Sequence, residues 1–83
     1  SASLIELFSW TEKQFNDRLA GNPIRRIGHE RWLRNIAVAL GNGAATPDTK
    51  NALEMKIDHA SPLVREHVEW ALARLESKIT SSR

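Results

Sequence analysis

The chain has no cysteine among its 83 residues. That excludes a disulfide framework, and it excludes a cysteine-ligated zinc or iron–sulfur site built from this chain alone. No apolar run approaches the roughly 20 residues that a membrane-spanning helix requires. The opening residues lack the basic segment and apolar core of a secretory signal. Strand signals are scarce, because β-branched residues are scattered and no segment alternates cleanly between apolar and polar. Without a strand there is no place for a glycine-rich phosphate loop of the strand–loop–helix kind. Charge of one sign is also scarce, since the net charge is only +2. A chain of this length makes one small domain and buries only about 60% of its unfolded surface.

What is present is helical spacing throughout, which predicts an all-α domain. Thr11 with Gln14 three residues on fits a capping box, and Phe15 and Leu19 form an i, i+4 apolar pair, so a helix is expected over residues 11–20. Gly21 ends it, and residues 3–9 form a short turn of helix before it. Asn22-Pro23 reads as a cap with proline at the first helical position. The helix it opens is expected to run to about Leu40, with Gly41-Asn42-Gly43 ending it through left-handed conformations. Thr46-Pro47 restarts the pattern for a helix carrying Leu53 and Ile57 that stops near Asp58-His59. Ser61-Pro62 is the third such start, for a helix over about residues 63–78. The crowding of Leu4, Ile5, Leu7, Phe8 and Trp10 predicts that residues 1–10 lead in from an upstream domain of a longer polypeptide. Residues 11–79 then form the helical domain, and residues 80–83 a polar, frayed tail.

The two long helices repeat one pattern. Trp32, Ile36, Ala39, Leu40 and Gly43 match Val64, Val68, Ala71, Leu72 and Leu75 at an offset of 32 residues, the mark of stacked helix pairs. The caps Asn22 and Ser61 are 39 apart, so the first long helix is expected to carry seven extra residues, including Arg25, Arg26 and His29. The second unit, from Leu53 through Asp58, Ser61-Pro62, Val64-Arg65 and Val68 to Ala71-Leu72, resembles a HEAT-type repeat. In that motif the aspartate and arginine tie the turn, which gives Asp58 and Arg65 a structural reading. The resemblance implies a fold of about two antiparallel helix pairs. Trp32 and Trp70 read as packing residues, while Trp10 either caps the stack or faces an upstream domain.

Charge is uneven along the chain. Residues 1–24 are net −1, residues 25–34 net +3 and residues 35–83 neutral. The excess lies in Arg25, Arg26, Arg31 and Arg34, which points to a local anionic partner. Arg31 and Arg34 share a helical face. Arg25 and Arg26, placed in a first helical turn, oppose the macrodipole by about 0.3–1 kcal/mol each unless an anion compensates. Two readings stand side by side. The arginines form salt bridges to Glu12, Asp17, Glu30 or carboxylates of an absent domain, or they bind phosphate through their planar donor forks. Asn35 reads as a backbone or loop contact, with a base contact as the alternative. The histidines at 29, 59 and 67 lack the spacing of paired metal ligands. His59 reads as a turn residue that caps backbone carbonyls, and His67 as a surface or interface histidine. Glu66 and Glu69 read as a solvated face, and no nucleophile–base pair is visible.

The block Leu7-Phe8-x-Trp10-x-Glu12-x-x-Phe15, followed by Gly21-x-x-Ile24-Arg25-Arg26-Ile27-Gly28-x-x-Arg31-Trp32-Leu33-Arg34-Asn35-x-x-Val38-Ala39-Leu40-Gly41-Asn42, resembles the C-terminal part of the epoxyqueuosine reductase family. Ser61-Pro62-Leu63-Val64-Arg65-Glu66-His67-Val68-x-Trp70-Ala71-Leu72 extends the likeness over nearly the whole chain. The resemblance implies a cytoplasmic oxidoreductase of the last step of queuosine synthesis on tRNA. That enzyme uses cobalamin and two 4Fe–4S clusters, which need cysteines and so belong to an upstream catalytic domain. It also implies that this domain helps to hold the tRNA anticodon stem-loop, with Arg25, Arg26, Arg31, Arg34, Arg65 and His67 as nucleic-acid contacts. The alternative is a bracing module for the catalytic iron–sulfur domain, without direct RNA contact. This chain departs from the family pattern at Ala60, where a proline is expected before Ser61-Pro62.

Overall fold

Short polar side chains open the helices at the predicted places. In the computed structural model, which describes residues 3–81, Ser3 accepts from the Glu6 N–H and starts α1 (Leu4–Phe8). Thr11 starts α2 (Glu12–Arg18) with a reciprocal capping box. The Gln14 N–H donates to Thr11 Oγ1 at 3.2 Å, and the Thr11 N–H to Gln14 Oε1 at 2.9 Å. The long helix α3 spans His29–Asn42. Thr46 caps α4 (Pro47–Glu54) by accepting from the Thr49 N–H. Ser61 caps α5 (Pro62–Ser81) by accepting from the Val64 N–H at 3.2 Å. Each cap satisfies a helix-end donor that would otherwise lack a partner, worth about 1 kcal/mol. The described residues contain no strand, as the all-α expectation requires. The expected tail falls partly on residues 82 and 83, outside the described residues; Thr80 is within α5.

Helices α3 and α5 make the main contact, α1 lies against α3 and α4, and α4 lies against α5. Two layers result, with α1 and α4 in one and α3 and α5 in the other. The direction of α5 follows from its bonds. Ser61 at its start reaches Glu30 in the first turn of α3, and Arg74 Nε donates to Asn42 Oδ1 at 2.8 Å at the other end. The two helices are therefore parallel, and α4 carries the chain back between them. The buried interface is Leu33, Ile36, Ala37 and Leu40 of α3 against Val64, Val68, Ala71 and Leu75 of α5, closed by Phe8 and Leu53. Phe8 is 1% exposed, so α1 is part of the packed body.

Four sequence expectations are corrected. The buried rows pair at an offset of 31, Leu33 with Val64, Ala37 with Val68 and Leu40 with Ala71, while Ala39 and Gly43 are exposed. The offset of 32 was set by Trp32, which faces the other way, toward α1 and α2. Helix α4 ends at Glu54, and Ile57 is exposed in the turn that follows. Gly41 and Gly43 do not adopt left-handed conformations. Instead the Lys78 ammonium of α5 donates to the carbonyls of Gly41, at 3.2 Å, and Gly43, at 2.7 Å, and caps the end of α3 from outside. Finally, α5 continues to Ser81 rather than stopping near Lys78.

Candidate nucleic-acid interface

The expected single helix from Pro23 to Leu40 is broken. Asn22 Oδ1 accepts from the Ile24 N–H at 2.9 Å, and Pro23–Ile27 forms a 3-10 turn. Gly28 follows with φ +86°, a conformation that side-chain-bearing residues rarely adopt. The chain turns there, and α3 begins at His29 without a side-chain cap. Arg25 and Arg26 therefore lie in the last turn of the 3-10 segment, not the first turn of a long helix. The macrodipole penalty expected for them does not arise, because basic residues near a helix C-terminus agree with the dipole.

An aromatic cluster fixes this segment to the body. Trp10 and Trp32 stack at 5.7 Å and 13°. Phe15, fully buried, tilts against Trp32 at 5.3 Å and against His29 at 5.7 Å. His29 Nε2 donates to the Trp10 carbonyl at 2.7 Å, and Trp32 Nε1 donates to the Leu7 carbonyl at 3.2 Å. The Arg18 guanidinium lies 5.2 Å over Trp10. The long connection between α1 and α3 is thus pinned at several points, and His29 is one of the pins. Sequence reasoning missed the cluster because its members are far apart in the chain. Its trace was the density of aromatic residues around positions 8–15.

Within that frame the arginines are displayed, not consumed. Arg25 Nε donates to Asn16 Oδ1 at 3.4 Å. Arg25 and Arg26, with Asn16, Gly21, Asn22 and Pro23, line an open depression of about 490 Å³. Arg26 and Arg31 are exposed and make no hydrogen bond or ion pair among the described residues. Arg34 Nε donates to the neighbouring Asn35 Oδ1 at 2.9 Å. The carboxylates proposed as internal partners are not used by them. Asp17 pairs with Lys13 at 2.7 Å, and Glu30 accepts from the Ser61 hydroxyl.

Arg65 and His67 are placed differently. Arg65 Nη1 donates to the carbonyls of His59, at 2.6 Å, and Ala60, at 3.1 Å. It ties the α4–α5 turn through backbone carbonyls and not through Asp58, which is exposed and makes no hydrogen bond or ion pair among the described residues, so the expected Asp58–Arg65 tie is corrected. His67 Nδ1 bonds the Leu63 carbonyl one turn back at 2.8 Å. His59 Nδ1 accepts from the Ser61 N–H at 3.0 Å. Burial and the nearby positive charges of Lys56, His29 and Arg65 hold its pKa below the usual histidine range, only partly offset by Glu30.

No group of three or more His, Asp or Glu side chains among the described residues could hold a metal ion. No described helix is long and apolar enough to cross a membrane. The chain is 58% identical over 73 residues to an epoxyqueuosine reductase of Xanthomonas campestris, a match covering 88% of this chain and 21% of that protein. It is 54% identical over 74 residues to the epoxyqueuosine reductase of Pseudomonas aeruginosa, covering 89% and 20%. With that of Escherichia coli it shares 54% over 72 residues, covering 86% and 18%. The chain thus spans about a fifth of the length of these curated relatives. No protein-family model matches it, and no solved structure does.

Proposed function

Because the chain is related to one segment of the epoxyqueuosine reductases, we propose that it is the C-terminal helical domain of such an enzyme and helps to hold the tRNA anticodon arm. In this reading α1 with α3, and α4 with α5, are two HEAT-like helix pairs, stacked so that α1 and α4 form one layer and α3 and α5 the other. The connection from α1 to α3, with α2 and the 3-10 turn, is an elaboration of the first pair that carries Arg25 and Arg26. The parent is a cytoplasmic oxidoreductase that reduces epoxyqueuosine to queuosine in tRNA. Its two 4Fe–4S clusters do not fit this chain, which has no cysteine to ligate iron. With its cobalamin, they are assigned to the catalytic part of the same polypeptide.

The observation that carries the RNA contact is the state of Arg25, Arg26 and Arg31. They are exposed and lack carboxylate partners among the described residues; Arg25 and Arg26 stand on the connection fixed by the Trp10–Phe15–Trp32 cluster, and Arg31 in the first turn of α3. Guanidinium groups held this way meet phosphate oxygens with little further ordering. Arg34 stands one turn along the same helix, half-exposed. Arg65 and His67 contribute less, since each already bonds backbone.

The second reading, a bracing module, is favoured by the groove between α1 and α4. It has a volume of about 500 Å³ and is lined by Ile5, Phe8, Ala52 and Met55, with Met55 87% exposed. A titration of the chain with a tRNA anticodon stem-loop bearing a GUN anticodon separates the two. The RNA reading expects binding that weakens several-fold in the Arg25→Ala/Arg26→Ala variant. Under the bracing reading, RNA affinity is unchanged and the full-length enzyme carrying the same substitutions loses thermal stability instead.

A further inference from the structure

The connection between α4 and α5 comes back to the edge of the molecule where α3 starts. The Ser61 hydroxyl donates to the Glu30 carboxylate, and the Ser61 N–H donates to His59 Nδ1. Because α3 and α5 are parallel, both N-termini open on this one edge. Arg25, Arg26 and Arg31 precede or open α3, and Lys56, His59 and Arg65 precede or open α5. The sequence showed only the first of these groups, since in residues 35–83 acids and bases balance. Folding brings the turn that holds His59 to the start of α3, where Ser61 meets Glu30 and His59 lies within electrostatic reach of His29.

We propose that the α4–α5 connection is a second contact for an RNA phosphate backbone, with Lys56 and His59 as its donors, continuing the edge that Arg25 and Arg26 begin. This rests on the RNA-binding reading above. The Lys56 ammonium lies 5.2 Å over the Phe8 ring and has no carboxylate partner among the described residues. A cation held by an aromatic face and half desolvated gains from an incoming anion. With Nδ1 of His59 accepting, the neutral ring carries its proton on Nε2. That atom has no partner among the described residues and is free to donate to a phosphate oxygen. Arg65 does not need to reach the RNA. Its bonds to the carbonyls of His59 and Ala60 hold the turn in shape. The groups acting on His59 are Lys56 from the turn, His29 and Glu30 from α3, and Arg65 from α5, and the balance is positive. The one carboxylate among them, Glu30, is engaged by Ser61.

The test uses the 83-residue chain and the anticodon stem-loop. The His59 ring is followed by NMR across pH with and without RNA, and the salt dependence of binding is compared for wild type and Lys56→Gln. A bound phosphate favours the imidazolium, so the His59 midpoint rises by about half a unit or more when RNA is bound. Losing one phosphate contact lowers the slope of log affinity against log salt by about one. If RNA binds in an Arg25- and Arg26-dependent way while the His59 midpoint and the Lys56→Gln slope stay at the wild-type values, the second contact does not exist and the anticodon-arm reading stands. If the wild-type chain binds no RNA, both fall. The NMR arm uses the unaltered chain, so it decides the matter even if Lys56→Gln folds poorly.

Discussion

A β-carbon on Gly41 would stand 2.8 Å from Cζ3 of Trp70 and 2.9 Å from the Ala71 Cα, closer than real contacts allow. The Trp70 ring edge lies over the bare backbone of Gly41, with the Arg74 guanidinium 5.7 Å away over the same ring. Here α3 and α5 approach too closely to admit a β-carbon. Gly41→Ala is expected to destabilise the fold by about 1–3 kcal/mol through overpacking. Alanine's better helix propensity, worth about 1 kcal/mol, works in the opposite direction. Urea unfolding followed by circular dichroism gives the sign; a stabilised variant would mean that α5 shifts easily.

Ser61 serves two partners, as the cap of α5 and as the donor to Glu30. Ser61→Ala is expected to cost about 1–2 kcal/mol, the upper end of what a lost cap costs. Glu30→Gln, alone and combined with Ser61→Ala, closes a double-mutant cycle. A coupling of about 0.5 kcal/mol or more is expected, since both report one bond, and strict additivity would show that the bond contributes nothing.

Acidification should weaken the fold through His59. Its pKa is lowered in the folded chain from the ordinary 6.5. Above that value both states hold a neutral ring and the full stability is present. As pH falls below it, the unfolded chain takes up the proton first, so stability declines until the folded-state pKa is passed. The urea midpoint is expected to fall between pH 7.5 and pH 5 by more in wild type than in His59→Gln. Equal falls would assign the pH dependence to other groups.

Trp32→Ala links the fold to the interface. It removes the stack on Trp10, the contact with Phe15 and the bond to the Leu7 carbonyl. A stability loss of about 3 kcal/mol is expected. RNA affinity should drop as well, because the connection bearing Arg25 and Arg26 loses its anchor. Lost stability with full RNA affinity would show that the arginines need no fixed platform.

Much of this was legible in the sequence because it rests on local chemistry. The capping box at Thr11, the cap-and-proline starts at Thr46 and Ser61, and the apolar rows of α3 and α5 all declare themselves within a few residues. The pairing of the apolar rows of α3 and α5 was visible too, though one residue out of register, because Trp32 is as apolar as its neighbours and faces another partner. The break at Gly28 was hidden, since a lone glycine inside a helical pattern reads as tolerated until its φ is known. The arginines were found by their density. What sequence could not show was which carboxylates are free to meet them. That depends on Asp17 turning to Lys13 and Glu30 to Ser61. Nor could it bring the His59 turn to the start of α3, because that follows from the parallel packing of α3 and α5.

The most direct measurement is the affinity of this chain for a tRNA anticodon stem-loop across a series of salt concentrations, for wild type and Arg25→Ala/Arg26→Ala. The account predicts salt-sensitive binding in wild type and a slope lowered by about two in the variant, one for each phosphate contact removed. Identical affinities and slopes for the two proteins would contradict it and leave the arginines to a protein partner.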